Sequence, residues 1–238
     1  MDAIREAVAS NPLFGIVISV GAYAIGTLIY KKTRLALLNP LLLAIILVCG
    51  VMVPLNISYN DYNQGGSFIT LLLSPATVVL AVPLYDQMNL IKKNAAVILV
   101  SISTGALTSM LCIFVLCRAF GLDKALLMSL VPKSVTTAIA IGISSELGGI
   151  RVVTVVATLL SGITGAVLGP FLCRLLRIRS RVAVGLAMGT ASHAVGTSKA
   201  MELGEDEGAM SGLAIGVSGV ITVAVAPALI ALLIRIWG

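Results

Sequence analysis

The stretch Pro132-Lys133-Ser134-Val135-Thr136-Thr137 sets one cation and three hydroxyls inside a run that otherwise reads as membrane. Leu126, Leu127, Leu130 and Val131 precede it and Ile139, Ile141 and Ile143 follow, so the segment 123–145 is apolar enough to enter a bilayer. A lysine at the centre of such a helix costs about 2.5–3.5 kcal/mol on insertion scales, and each Leu, Ile or Val returns about 0.3–0.6 kcal/mol. Insertion is therefore affordable, but the charge still needs a partner. Pro132 removes a backbone donor and disrupts the preceding turn, which frees carbonyls that need protein or water around them. A broken helix carrying a cation and hydroxyls is suited to a small anion; the competing reading is a lysine that snorkels to the headgroups.

The rest of the chain agrees with a membrane setting. Hydrophobic residues make up 58% and charged residues 11% of the 238 residues, and mean hydropathy is +1.08, against about 25% charged in soluble domains. The chain has room for roughly seven or eight membrane segments at about 20 residues per span. The expected fold is an all-α polytopic membrane helical bundle, some of its segments discontinuous or re-entrant, forming a single integral membrane transporter domain over 1–238. The formal charge of +6 is spread over short connections, as the positive-inside bias produces, and no basic stripe with interleaved aromatics points to nucleic acid. Cys49, Cys112, Cys117 and Cys173 lack any Cys/His ligand spacing and read as reduced apolar residues. The first apolar run, 13–30, is followed by Lys31-Lys32-Thr33-Arg34 rather than a cleavage site, and should stay as a helix.

Counting segments between basic clusters gives topology. Two apolar segments separate 31–34 from Lys92-Lys93, whereas three separate the latter from Arg174, Arg177, Arg179 and Arg181. If all three spanned, four arginines would lie outside, so one is expected not to span simply, and the Lys133 element is the best candidate. The alternative is that the charge rule fails for this loop. The polar stretch 56–66 reads as an outside loop before a third segment at 67–86, where Pro75 and Pro83 suggest either a discontinuous helix or a simple kink. A weak self-match at about 57 residues pairs Pro75 with Pro132, Gly162 with Gly219 and Pro170 with Pro227, suggesting repeat units near 66–121, 123–178 and 181–236. Parallel and inverted copies are both open.

Three polar interrupted elements carry the candidate site: Ser74-Pro75-Ala76-Thr77, the 132–137 stretch, and 189–199, which holds the sole histidine of the chain. Lys133, Ser134, Thr136, Thr137, Ser74, Thr77, Thr190, Ser192, His193 and Thr197 are the expected substrate contacts. Half-helix N-termini and a lysine together favour a small carboxylate anion. His193 is either a packing histidine on a neighbouring carbonyl or, with an ordinary pKa near 6.5, a proton-coupling residue. Lys199 is expected to pair with Glu202 or Glu205. The small residues Ser101, Ser103, Thr104, Gly105, Thr108 and Ser109, and likewise Ser161-Gly162, Gly165, Gly169, Gly212 and Gly216, read as close helix contacts. Ser192 precedes His193, but adjacent helical residues diverge, and no GxSxG, HExxH or GxxxxGK[ST] occurs, so no enzyme, cofactor or metal site is expected.

Asn39-Pro40-Leu41-Leu42, Ser74-Pro75-Ala76-Thr77 with Ala81-Val82-Pro83-Leu84-Tyr85, the 132–137 stretch, and Gly189-Thr190-Ala191-Ser192-His193 with Gly196-Thr197 resemble the LrgB/CidB family over nearly the whole chain. Ala138 departs from the proline expected after Thr137. The family was named for antiholin-like control of lysis, and the plant plastidial glycolate/glycerate transporter contains a similar domain; bacterial relatives paired with a small LrgA-type protein are associated with pyruvate uptake. The resemblance adds Asn39 to the site. It implies a secondary transporter of pyruvate-, lactate-, glycolate- or glycerate-type monocarboxylates by alternating access in the bacterial cytoplasmic (inner) membrane, with an LrgA/CidA-like partner. The alternative it implies is an antiholin-like protein modulating murein hydrolase export and lysis without a defined solute. The substrate, the coupling ion, any homo-oligomer and the need for the partner are left open by the sequence.

Overall fold

A computed structural model describes residues 11, 13–33, 38, 40–72, 75, 85 and 88–237. Arg34, Asn39, Ser74, Thr77 and Pro83, and the N-terminal lead through residue 10, lie outside the described residues. The described residues form helices and no strand. Among the described residues, four helices are long and apolar enough to cross a membrane: Leu13–Thr33, Lys92–Ala119, Arg151–Leu175 and Glu205–Arg235. The chain divides into two compact units, 1–79 and 80–238.

The first unit contains α1 (Leu13–Thr33), α2 (Pro40–Met52) and α3 (Tyr59–Leu71). Glycines let α1 approach its neighbours closely, since a Cβ at Gly26 would lie 2.7 Å from the Pro40 carbonyl oxygen. Ser19 and Tyr62 join α1 to α3 through a hydroxyl pair at 2.7 Å. The expected outside loop over 56–66 is corrected here: most of it is helix. Ser58 caps α3, its hydroxyl accepting from the Asp61 N–H while the Asp61 carboxylate accepts from the Ser58 N–H. This reciprocal capping box satisfies two helix-end donors and lets a polar sequence start a helix.

The second unit contains α4 (Met88–Ala119), α5 (Lys124–Leu130), α6 (Thr137–Glu146), α7 (Arg151–Leu175), α8 (Arg181–Leu203) and α9 (Glu205–Trp237). Two apolar clusters fix the direction of its helices. Ile98 and Ile102 of α4 pack with Leu186 of α8 and Ala209, Met210 and Ala214 of α9. Further along, Met110, Phe114 and Cys117 pack with Leu127 and Met128 of α5, Ile143 of α6, and Ala226 and Ile230 of α9. Helices α4 and α9 therefore run parallel. Helix α7 runs against them, because its start is joined to the far end: the Ser129 hydroxyl accepts from the Ile150 N–H at 2.7 Å, and Thr154 donates to Ser144 at 2.7 Å.

Two elements within this frame turn back on themselves. The first is α5, a turn at 131–136, and α6, stitched at both ends to the start of α7. At about 1.5 Å per residue, helices of seven and ten residues reach about 10 and 15 Å, each well short of the roughly 30 Å hydrocarbon core. The second is α8, which breaks at His193 (φ 41°, ψ −137°). In a straight helix residues 181 and 203 would be about 33 Å apart. Instead Arg181 pairs with Asp206 at 3.5 Å, a Cβ at Gly196 would lie 2.5 Å from the Met188 carbonyl oxygen, and both arms rest on the first turns of α9. Gly185 lies against the Glu207 carbonyl, and Thr197 bonds Ser211 at 2.7 Å. The basic residues at the start of α4 and those between α7 and α8 consequently share one end of this unit.

Candidate functional site

The two turned-back elements approach from opposite ends and present their tips to the middle of α7. Helix α7 allows this because its facing residues are small. A Cβ at Gly162 would lie 2.6 Å from Cε1 of His193, one at Gly165 would collide with the Ser192 hydroxyl, and one at Gly169 with the Met188 sulfur. The expectation of close contacts is met at Gly162, Gly165 and Gly169 but not at Gly212 and Gly216 of α9, where an added Cβ would meet no atom within 4 Å. Ser161, also read as a packing residue, does more.

Lys133 Nζ donates to the Ser134 hydroxyl at 3.1 Å and to the Ser161 hydroxyl at 3.3 Å. Ser109 of α4 reaches Ser134 at 2.7 Å, so α4, α7 and the 131–136 turn meet here, with two hydroxyls on the ammonium and a third behind Ser134. The side chain is turned inward onto α7, away from the headgroup route that a snorkelling lysine takes. Ion pairs among the described residues involve Arg181 and Lys199 as cations, the latter with Glu202 at 2.6 Å as expected. Lys133 has no carboxylate within ion-pair distance among the described residues. An ammonium carries three donors, and hydroxyls account for two. The site thus holds positive charge that an incoming anion can balance.

Lys133 and Ser134 form the floor of a cleft of about 800 Å³ between α4 and the first arm of α8. Its α4 wall presents Asn94, Ser101, Thr104, Thr108 and Ser109, and its α8 wall presents Thr190 beside several small residues. The small polar residues of α4 were expected as helix contacts. That holds for Gly105, where a Cβ would lie 3.0 Å from the Thr190 methyl group, whereas Ser101, Thr104 and Thr108 are exposed along the cleft. Periodicity alone cannot separate a contact face from a cleft face, because both favour small residues.

The structure brings Lys133, Ser134 and Thr190 together and directs the other expected residues that it describes elsewhere; Asn39, Ser74 and Thr77 lie outside the described residues. His193 is buried against α7, and since the Thr158 carbonyl oxygen 2.9 Å away can only accept, Nε2 carries the proton of that bond. Ser192 faces Gly165. Thr197 bonds the His193 carbonyl at 3.1 Å and Ser211 of α9. Thr136 caps α6 without a side-chain bond, Thr137 opens that helix, and neither lines the cleft. Ser109 and Ser161, read from the sequence as packing residues, join Lys133 and Ser134, and nothing in the sequence separates them from the other hydroxyls of α4 and α7. Among the described residues no group of three or more His, Cys, Asp or Glu converges on a metal position.

Spanning helices around two interrupted elements, with a lysine at their meeting point, define a helical membrane protein with a polar interior. The chain belongs to the LrgB-like family, which it matches over residues 19–232. It is 40% identical over 218 residues to the antiholin-like protein LrgB of Bacillus cereus, covering 91% of this chain and 95% of that protein. The same figures hold for the antiholin-like protein LrgB of Bacillus anthracis. No solved structure matches the chain.

Proposed function

We propose that this LrgB-family chain is an antiholin-like protein of the bacterial cytoplasmic membrane that modulates murein hydrolase export and lysis, working beside a small LrgA-type membrane protein. The name shared by relatives covering 91% of the chain supports this reading most directly. A second reading is favoured by one structural observation, the Lys133 ammonium held by hydroxyls at the floor of a cleft with no carboxylate partner among the described residues. On that reading the chain is a carrier of pyruvate-, lactate-, glycolate- or glycerate-type anions. Lys133 holds the carboxylate, Ser134 and Thr190 contact the solute, and His193 relays protons.

Both turned-back elements are re-entrant in this proposal, so that four spans, the shorter α2 and the two hairpins make seven membrane segments. The units near 123–178 and 181–236 each comprise one hairpin and one span, entered from opposite faces, as in an inverted repeat with its site at the repeat interface. Hairpin tips at the midplane are tolerated because they are buried in protein or line a water-filled cavity.

Reconstitution separates the two readings. Proteoliposomes with and without an LrgA-type partner are given labelled pyruvate and glycolate and, in parallel, an encapsulated dye. Saturable uptake without dye loss is expected of the carrier. Dye leakage without saturation, or no flux alongside altered lysis in cells, leaves the antiholin-like reading alone.

A further inference from the structure

The cleft above Lys133 runs along α4 and the first arm of α8. Along α4 its lining residues Asn94, Ser101, Thr104 and Thr108 recur at helical spacing on a single face, and the opposite wall begins at Ser180. The mouth lies between Asn94 and Ser180, beside Lys92 and Lys93 on one side and Arg179 and Arg181 on the other. Past Lys133 the bundle is closed by Met110, Phe114, Cys117, Leu127, Met128 and Val131, each no more than 4% exposed. A volume of about 800 Å³ has room for on the order of 25 waters at about 30 Å³ each. That is far more than a tight pocket for a three-carbon acid requires, and the hydroxyl wall can solvate such a water column.

We propose that the α4–α8 cleft is an aqueous vestibule open only to the face bearing the basic residues, that it ends at Lys133, and that the apolar cluster around Phe114 is the closed gate toward the other face. The structure is then the form in which Lys133 is reached from the cytoplasm, since basic connections mark that side. The cations at the mouth raise the local concentration of anions. The solute sheds its water at the floor, where the free donor of Lys133 and the hydroxyls of Ser134 and Thr190 replace it. Only the nature of the solute rests on the carrier reading; the one-sidedness of the vestibule does not.

The experiment is cysteine accessibility in the full chain. Thr104→Cys and Thr108→Cys are placed in a background without Cys49, Cys112, Cys117 and Cys173, with Ser180→Cys as the marker of the basic face and Ser101→Cys as a substitute where either variant is not produced. A further protein keeps native Cys117 alone as the probe of the gate. Right-side-out and inside-out vesicles are treated with a membrane-impermeant maleimide, and detergent-denatured samples give the total reactive thiol. Residues 104 and 108 are expected to label at least tenfold faster from the face that labels position 180, and Cys117 from neither. Labelling of 104 and 108 from the opposite face, from both faces, or from neither while the denatured protein reacts fully, overturns the proposal, as does labelling of Cys117 in folded protein. Excess pyruvate that slows labelling at 108 supports vestibule and carrier together. Face-restricted labelling that neither pyruvate nor glycolate slows supports the vestibule and counts against the carrier.

Discussion

Replacing Lys133 is the perturbation with the clearest expected result. Its ammonium makes two hydrogen bonds, to Ser134 and Ser161, worth about 1.5–3 kcal/mol each because the donor is charged. Against that stands the cost of keeping a cation partly out of water, several kcal/mol for a fully buried ion. Lys133→Met should therefore leave thermal stability in detergent unchanged or raised, because no carboxylate among the described residues is orphaned by the loss. Binding behaves oppositely. Losing one partner of a desolvated charge pair costs about 2–5 kcal/mol, roughly 30- to 5,000-fold in affinity. Lys133→Ala and Lys133→Met should both lose most saturable uptake and most substrate-induced thermal stabilisation, and Lys133→Arg should keep a fraction, since charge persists while the planar fork changes distance and direction. Ser161→Ala and Ser134→Ala should weaken affinity less, by about 0.5–3 kcal/mol. The assay is proteoliposome uptake of labelled pyruvate and glycolate at matched protein, with melting curves on the same preparations. Near-normal uptake by Lys133→Ala would refute the anion-site assignment, and a large loss of stability in Lys133→Met would show that the lysine is held by an acidic partner instead.

Three further outcomes are expected. His193 occupies a positive-φ conformation costing about 1–3 kcal/mol for a residue with a side chain, so His193→Gly should melt at a higher temperature than His193→Ala, both having lost the bond to Thr158; the reverse order would place the strain elsewhere. Cysteines at Leu122 and Glu146 should react with an impermeant reagent from one face and those at Ser180 and Leu203 from the other, whereas a spanning Lys133 element would put positions 122 and 146 on opposite faces. Ser58→Ala breaks the capping box of α3 and should cost about 0.5–2 kcal/mol, measured as protection of amides 59–62 from hydrogen exchange.

Much of this arrangement is legible in the sequence because membrane and charge leave strong signals. Spanning segments announce themselves by length and apolarity, and Lys133 stands out by its cost in hydrocarbon. The charge count between Lys92-Lys93 and the arginines at 174–181 asks for an even number of crossings, and the two long helices α4 and α7, with the turned-back α5–α6 between them, place both clusters at one end of this unit. What composition conceals is direction within an element. The stretch 189–199 reads as an interrupted element, but the turning residue of its reversal, His193, is neither proline nor glycine and so is not located by the sequence. It is held from outside, by the bare backbone at Gly162 and by Ser211. The helix over 59–66 is concealed for the opposite reason, since a polar segment reads as loop until Ser58 and Asp61 are seen as a reciprocal cap.

The small residues of α7 gain their meaning from this reversal. An apolar spanning helix needs glycine or serine only where another backbone comes close or a polar atom must be met, and α7 has both needs at adjacent positions. Ser161 meets the Lys133 ammonium and Gly162 admits the His193 ring. One turn earlier, the Thr158 carbonyl accepts from that ring while the Thr158 hydroxyl donates to the Thr154 carbonyl at 2.7 Å. Thr154 in turn donates to Ser144 of α6. The two hairpins are thus anchored on a single helix, at successive positions about one turn apart. The tip carrying the cation and the tip carrying the imidazole therefore share one helix as their support, without a hydrogen bond between the two side chains.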